Sequence, residues 1–368
     1  MTTLDPPALM AEALRLAARG IYSTAPNPRV GCVLVRDGQI VGRGFHRYAG
    51  EAHAEVNALA EAGDRARGAT AYVTLEPCAH QGRTPPCADA LIRAGVREVV
   101  IACRDPNPLV AGRGIARLEA AGIRTRLGLG ETEALRLNRG FFSRIQRGRP
   151  WLTLKLAASL DGRTALANGQ SQWLTGAAAR ADVQRLRLEA DAVLAGTGSV
   201  LDDRARLTAR HDTDLPRREP LRVVIDSQNR VVPPLPLFDE AGPVLLARLR
   251  PGPRPGGGSA SVEEHCYPAR AGRVDLAALL NDLGARGINN VLAEAGANLA
   301  GALLQAELVD ELVLYLAPCL LGPDARPLVA LPLLEALSAR MNFRLERSEC
   351  LAADVKLTLI PSYVHRNH

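Results

Sequence analysis

Lysine is almost absent from this chain: of its 45 basic residues, only Lys155 and Lys356 are lysines. The formal charge of +6 therefore comes from arginine, spread along 368 residues without a dense basic run. A surface that tracks nucleic-acid phosphates gathers its charge on one face, so no nucleic-acid partner is expected, whereas a small phosphorylated ligand is compatible. No run of about 18 uninterrupted apolar residues occurs, so neither a membrane-spanning helix nor a membrane partner is expected. The opening "MTTLDPPALMAEALRLAARG" carries acidic residues and no long apolar core, unlike a signal peptide. Cysteine is sparse and odd in number, seven in all. Without a secretion signal, that favours the cytoplasm, with thiols reduced and available to a metal.

What is present suits two soluble domains. A chain of 368 residues, 47% hydrophobic and 23% charged, has material for two separate cores. The first half alternates helix and strand. "PPALMAEALRLAARG" has helical apolar spacing, and "RVGCVLVRDGQIVGRGFH" is a hairpin around Asp37-Gly38. "EAHAEVNALAEAG" reads as a helix, "ATAYVTLEP" as a strand, "CADALIRAG" as a helix and "REVVIAC" as a strand. "RGIARLEAAG" and "IRTRLG" add one more pair. The Arg-rich "NRGFFSRIQRGRP" separates this half from a new strand at "WLTLKLAAS". The boundary is expected near 145–150, giving domains 1–148 and 149–368, both of α/β class. The second half alternates again, from "DAVLAGTGSVL" and "LRVVIDS" to "LVDELVLYLAP" and "DVKLTLI". The Pro/Gly-rich stretch from Arg250 to Ser261 reads as a surface loop within it.

The chemistry gathers between Ala52 and Cys87. His53 and Glu55 open a predicted helix in "EAHAEVNAL", and "TLEPCAHQGRTPPC" holds Cys78 and Cys87. Two cysteines in one loop suit a disulfide, a structural metal with His80 as fourth ligand, or a catalytic metal. The combination of His-x-Glu with Pro-Cys and a second Cys is the pattern of zinc-dependent nucleobase deaminases. One imidazole and two thiolates, His53, Cys78 and Cys87, leave a fourth zinc position open for water. Glu55 would not ligate; it would carry the water proton to the ring nitrogen and the leaving amine.

Eight residues separate the cysteines, where the common deaminase signature has two. The inserted "AHQGRTPP" resembles the loop of the riboflavin-biosynthesis deaminases, and "STAPNPRVGCVLV" resembles the segment that brings an Asn, here Asn27, to the pyrimidine edge. The resemblance assigns substrate recognition to His80 and Arg83 as well, and a guanidinium suits a phosphate. Beyond it, "LKLAASLDGRTA", "SQWLTG", "GTGSVLDDRARLTAR", "VVIDSQNRV", "LAEAGANLAGALL" and "VDELVLYLAPCLLG" resemble the reductase half of the bifunctional riboflavin-biosynthesis deaminase–reductase, in the family's order. The family implies a cytidine-deaminase-like α/β/α layer domain followed by a dihydrofolate-reductase-like α/β domain, with one zinc, NADPH and a homo-oligomeric assembly. It implies hydrolytic deamination of 2,5-diamino-6-ribosylamino-4(3H)-pyrimidinone 5′-phosphate, then reduction of the ribosyl group to ribityl. Ser171, Arg187, Leu207, Arg210 and Glu294 match its substrate positions. Ala157, Trp173, Thr175, Ser199, Asp203 and Ser227 match its cofactor positions, together with the turn Gly296, Ala297, Asn298, Leu299, Ala300, Gly301 and Ala302.

That last stretch reads independently as strand, turn and helix, whose N-terminal N–H groups suit a phosphate. Its glycine spacing alone is weak evidence, since close helix–strand packing uses the same residues. No G-x-G-x-x-G follows a first strand, which argues against a Rossmann domain. Two other classes compete: a cytidine or tRNA deaminase with a nucleic-acid-binding appendage, and a zinc-stabilised binding module. The long inter-cysteine loop and the second-half motifs speak against the first, and Glu55 beside an open coordination position against the second.

Overall fold

The computed structural model describes residues 5–79, 85–108, 110–210, 214–253 and 258–364. The chain divides into two compact units: Met1–Gly148 with Thr213–Arg218, and Arg149–Asp212 with Glu219–His368. The sequence predicts a single boundary with everything after it in the second domain. The segment ending at Arg218 departs from that because it is tied to the first unit's backbone. The Arg218 N–H donates to the Tyr22 carbonyl at 3.0 Å and its guanidinium to the Ala25 carbonyl at 3.0 Å.

In the first unit a five-stranded sheet runs Gln39–Phe45, Gly31–Arg36, Thr70–Val73, Glu98–Ile101, Arg124–Leu127 in spatial order. The first three strands are antiparallel and the last three parallel. Asp37 and Gly38 both take positive φ, 51° and 73°, the tight hairpin turn that Asp-Gly favours. Alternate strand residues face opposite layers. Val33, Tyr72 and Val100 pack with Leu9, Met10, Ala13 and Leu16 of the helix Pro6–Ala18. Leu34, Val73 and Ile101 pack with Ala54, Ala58, Leu91 and Leu118, from the helices Ala54–Ala62, Cys87–Ala94 and Arg113–Ala120. The result is the expected α/β/α sandwich. Gly44 lets one helix lie directly on its strand, since a Cβ there would sit 2.1 Å from the Ala54 carbonyl oxygen. That contact seats the helix carrying His53 and Glu55 at its start.

The Arg-rich stretch "NRGFFSRIQRGRP", read in the sequence only as a separator of the halves, forms the helix Arg139–Arg147 after a short helix Glu131–Leu137. Polar spacing hid it: Phe141 and Ser143 are buried, and Asn138 exchanges hydrogen bonds of 2.7 and 2.9 Å with the Arg29 backbone.

The second unit holds a nine-stranded sheet in the order Ala260–Cys266, Gly242–Arg248, Leu221–Ile225, Ala192–Gly196, Asn290–Glu294, Trp151–Ser159, Glu311–Ala317, Asp354–Pro361, Phe343–Leu351. The first seven are parallel and the last two antiparallel. Both edge strands escape the sequence reading because they alternate charges instead of burying apolar residues, as "ASVEEHC" and "FRLERSECL" show. Of the loop expected from Arg250 to Ser261, residues 254–257 lie outside the described residues, and Ala260 and Ser261 already belong to an edge strand. Leu279, Leu280 and Leu283 of the helix Leu276–Ala285 and Leu303 of the helix Ala297–Gln305 cover one face with Leu154, Leu194 and Val223. On the other face lies the helix Ala177–Glu189, with Ala179 and Val183 against Val313 and Tyr315. Among the described residues, no helix is long and apolar enough to cross a membrane.

Candidate active sites

In the first unit, His53 stands at the N-cap of the helix Ala54–Ala62, Cys78 follows the strand Thr70–Val73, and Cys87 opens the helix Cys87–Ala94. His53 Nδ1 lies 3.1 Å from Cys87 Sγ and 3.7 Å from Cys78 Sγ, with all three donor atoms within 4.8 Å of one another. Zinc bonds of about 2.0–2.3 Å in a tetrahedron place neighbouring ligands roughly 3.6–3.8 Å apart, so this donor set fits the ion. A hydrogen bond from Cys87 brings Cys78 down to about 4 against the effect of burial, helped by His53 and by the Cys87 N–H at 3.2 Å. Cys87 is pushed up in turn by its Cys78 partner and by burial. A dication binds both sulfurs as thiolates.

Glu55 sits in the first helical turn, 3% exposed, close enough to the cluster that Cys87 hydrogen-bonds its carboxyl. Burial first, then the charge of Cys78, pushes Glu55 up to about 7. Glu76, which no sequence motif singles out, has a buried carboxylate that accepts from the N–H groups of Gly112 (3.0 Å), Gly114 (3.0 Å) and Ile115 (3.2 Å). It caps the helix Arg113–Ala120 and holds the Glu-Pro-Cys turn in place. Asn27 is oriented by His46, with amide nitrogen and Nε2 3.0 Å apart, while the His46 Nδ1 side meets the Ala52 carbonyl at 3.2 Å. The His46 ring stands edge-on to His53, centroids 5.1 Å apart. His80 and Arg83 lie outside the described residues.

In the second unit the parallel strands end at Gly196 and Glu294, and helices start just beyond both, at Thr197 and Ala297. This is the usual place for a ligand on such a sheet, at the carboxyl ends of its strands. Arg187 and Glu294 meet in a paired contact, Nε to Oε1 at 2.5 Å and the second amino group to Oε2 at 3.0 Å. Burial opposes ionisation of Glu294, yet Arg187 and then Lys155 hold it below its usual value. Arg187 also donates to the Thr208 carbonyl at 2.9 Å, next to Leu207. Leu207 itself is 1% exposed in an apolar cluster with Val193 and Val200, and its φ is 58°. Only its backbone remains for a ligand. The Arg210 N–H donates to Gln184, on the same helix as Arg187, at 2.9 Å.

The positions that the family resemblance assigns to the cofactor separate into open and packed ones. A Cβ on Gly296 would meet nothing within 4 Å, whereas one on Gly301 would sit 1.9 Å from the Ala330 carbonyl oxygen. Gly301 and the buried Ala300 therefore serve packing, and the turn that reaches the surface is Gly296, Ala297 and Asn298, with Leu299 half-buried against the core and Ala302 half-buried. Trp173 is 70% exposed beneath the Arg180 guanidinium, 4.7 Å from the ring centroid, and Arg180 also bonds the Thr175 carbonyl at 2.6 Å. Ser227 accepts from the Val274 N–H at 3.0 Å. Ser199 lies in the short helix Thr197–Asp202 with Asp203 at its C-cap; burial, then Asp202, raises Asp203. Ser171 is half-buried in the loop before the helix Ala177–Glu189, and Ala157 packs beside Tyr315.

Both lysines belong to this unit's sheet, and the sequence analysis assigns neither a role. Lys155 pairs in register with Glu294, and burial lowers it despite that carboxylate. Lys356 donates to Asp182 at 2.6 Å, and Tyr315 Oη donates to the same carboxylate at 2.5 Å. The signal was there: "LTLKLAAS" and "DVKLTLI" place a lysine inside each of two apolar strands.

Fold and sites define a two-unit enzyme, a zinc-dependent deaminase followed by an α/β reductase. Residues 5–103 match the cytidine and deoxycytidylate deaminase zinc-binding region, and residues 150–357 match the RibD C-terminal domain. The riboflavin biosynthesis protein RibD of Escherichia coli is 51% identical over 95% of this chain and 98% of its own length. That of Haemophilus influenzae is 48% identical over 96% and 97%. A solved Acinetobacter baumannii RibD superposes with TM-score 0.89 at 43% identity, covering 97% of this chain and 98% of that one. A Thermotoga maritima structure described as a diaminohydroxyphosphoribosylaminopyrimidine deaminase/5-amino-6-(5-phosphoribosylamino)uracil reductase gives 0.87 at 32%, over 96% and 98%. The chain belongs to the RibD family of riboflavin biosynthesis, in which a zinc deaminase is joined to an NADPH-dependent reductase.

Proposed function

We propose that the first unit hydrolytically deaminates 2,5-diamino-6-ribosylamino-4(3H)-pyrimidinone 5′-phosphate and that the second reduces the product's ribosyl group, giving 5-amino-6-ribitylamino-uracil 5′-phosphate. The observation that carries this reading is the His53–Cys78–Cys87 cluster with Glu55 beside it, in a chain whose second half matches the RibD C-terminal domain. Zinc held by those three side chains would make a bound water acidic enough to yield hydroxide at neutral pH. Glu55 would relay the water's two protons in turn, the first to the ring nitrogen and the second to the amine, which leaves as ammonia. Asn27, steadied by His46, meets the pyrimidine edge, and His80 and Arg83 take the phosphate. The deaminase occupies residues 1–148 together with the segment ending at Arg218, and the reductase the remainder.

In the reductase, NADPH supplies the hydride. Glu294, fixed by Arg187, accepts hydrogen bonds from sugar hydroxyls, and Arg210 with the Leu207 backbone and Ser171 completes the substrate side. Lys155 brings an ammonium beside Glu294, suited to give a proton to the oxygen released as the sugar ring opens. The turn Gly296–Leu299 receives the cofactor phosphates at a helix start. Ala157, Trp173, Thr175, Ser199, Asp203 and Ser227 line the rest. We place the enzyme in the cytoplasm, where Cys78 and Cys87 stay reduced, and as a homo-oligomer, a reading supported by the exposed Leu333 and Leu337 at 91% and 79%.

An ultraviolet assay of deamination with parallel NADPH oxidation tests the reading. The diaminopyrimidine nucleotide should support both signals in sequence. Efficient deamination of cytidine or tRNA, with no NADPH consumed on the nucleotide, would overturn it.

A further inference from the structure

We infer that Arg218 is a positioning residue for the deaminase, acting through the backbone that carries Asn27; this rests on the proposed role of Asn27. The stretch 21–30 belongs to no helix or strand, so its carbonyls have no ladder to satisfy them. Around Asn27 its backbone hydrogen bonds are short-range, Thr24 N–H to Gly20 at 3.2 Å and Asn27 N–H to Thr24 at 2.9 Å, while Asn138 and His46 hold the backbone only at Arg29 and Val30. Four carbonyls ahead of Asn27 are instead taken by arginines, that of Ile21 by the Arg29 guanidinium at 3.1 Å and three by residues from elsewhere in the chain. The Arg218 N–H donates to Tyr22 at 3.0 Å, its guanidinium to Ala25 at 3.0 Å, and the Arg144 guanidinium to Pro26 at 2.9 Å. Arg144 comes from the helix Arg139–Arg147, but Arg218 is contributed from far along the chain, by the segment that groups with this unit. The amide of Asn27, already turned by His46, is therefore held on a loop whose path is set from two sides. Without the Arg218 guanidinium the Ala25 carbonyl loses a charge-assisted donor, and the loop gains freedom that substrate binding must then remove. The expected signature is weaker binding with unchanged turnover, since Glu55 and the zinc ligands stand on other elements.

The test is steady-state deamination of the pyrimidine nucleotide by the full-length, zinc-loaded protein. Arg218→Ala should raise KM on the order of five- to tenfold, the range of one charged hydrogen bond partly compensated by water, with kcat and zinc content held. Arg218→Lys should restore the parent KM to within about twofold, because one N–H···O bond is needed. If Arg218→Ala fails to fold, Arg218→Met keeps the packing stem without the donor and serves in its place. In an Asn27→Ala background the Arg218 change should add little, because the two act as one unit. An unchanged KM, or a loss of zinc and of NADPH oxidation in step with deamination, overturns the inference. If Asn27→Ala alone leaves KM unchanged, it is the role of Asn27 that fails; an Arg218 effect that then persists in that background overturns the coupling.

Discussion

The zinc ligands come from one continuous stretch, His53 to Cys87, carried by a helix start, a strand end and the next helix start. The proposed reductase site draws on Lys155, Arg187, Leu207, Glu294 and Gly296, from separate elements around a nine-stranded sheet. In the first site each ligand type is scarce and chemically obligatory, so spacing alone betrays it. In the second, ordinary residues acquire meaning only from the neighbours that the sheet order brings to them.

If that contrast is sound, its parts should fail separately. The largest effect belongs to Glu55→Gln, which removes proton transfer and should cost roughly 10²–10⁴-fold in deamination. Zinc content and NADPH oxidation of the deaminated intermediate should survive; turnover within twofold of the parent would remove Glu55 from the mechanism. Cys87→Ser replaces a thiolate by a poor ligand, so metal analysis should show zinc lost together with deamination. Full zinc in that protein would contradict the ligand set.

Glu294→Ala leaves the Arg187 guanidinium without its carboxylate in a half-buried site. NADPH oxidation on the purified intermediate should fall by at least about tenfold, while deamination on the same preparation stays close to normal. Loss of deamination with NADPH oxidation spared would reverse the division of labour. The two turn glycines sharpen the contrast further. Gly301→Ala should lower thermal stability by about 1–3 kcal/mol through overpacking against Ala330. Gly296→Ala, with open space around it, should leave the melting temperature nearly unchanged and show its effect, if the turn meets phosphates, as a raised KM for NADPH. Equal melting temperatures for the two variants would refute the assignment of Gly301 to packing.

Legibility followed the same physics. The hairpin at Asp37-Gly38, the helix closing at Gly63 and the strand before Glu-Pro-Cys were readable because turn chemistry and apolar period agree locally. The helix Arg139–Arg147 and both edge strands of the larger sheet were not, because their charged faces break the periodic signal. The capping role of Glu76 was not readable, because the N–H groups it receives lie about 36–39 residues further along the chain. Leu207 matched a substrate position and proved to bury its side chain.

The sequence by itself determined the zinc chemistry, the order of the two activities and most of the strand–helix alternation, since these depend on residue type and on spacings of a few residues. Tertiary structure alone decided that Lys155 stands beside Glu294, that Arg187 pairs with that carboxylate, that Gly301 is a packing glycine, and that Arg218 supports the loop of Asn27. Each of those facts is a contact between residues distant in the chain. Such contacts follow from sheet order and chain path, which local propensity does not encode.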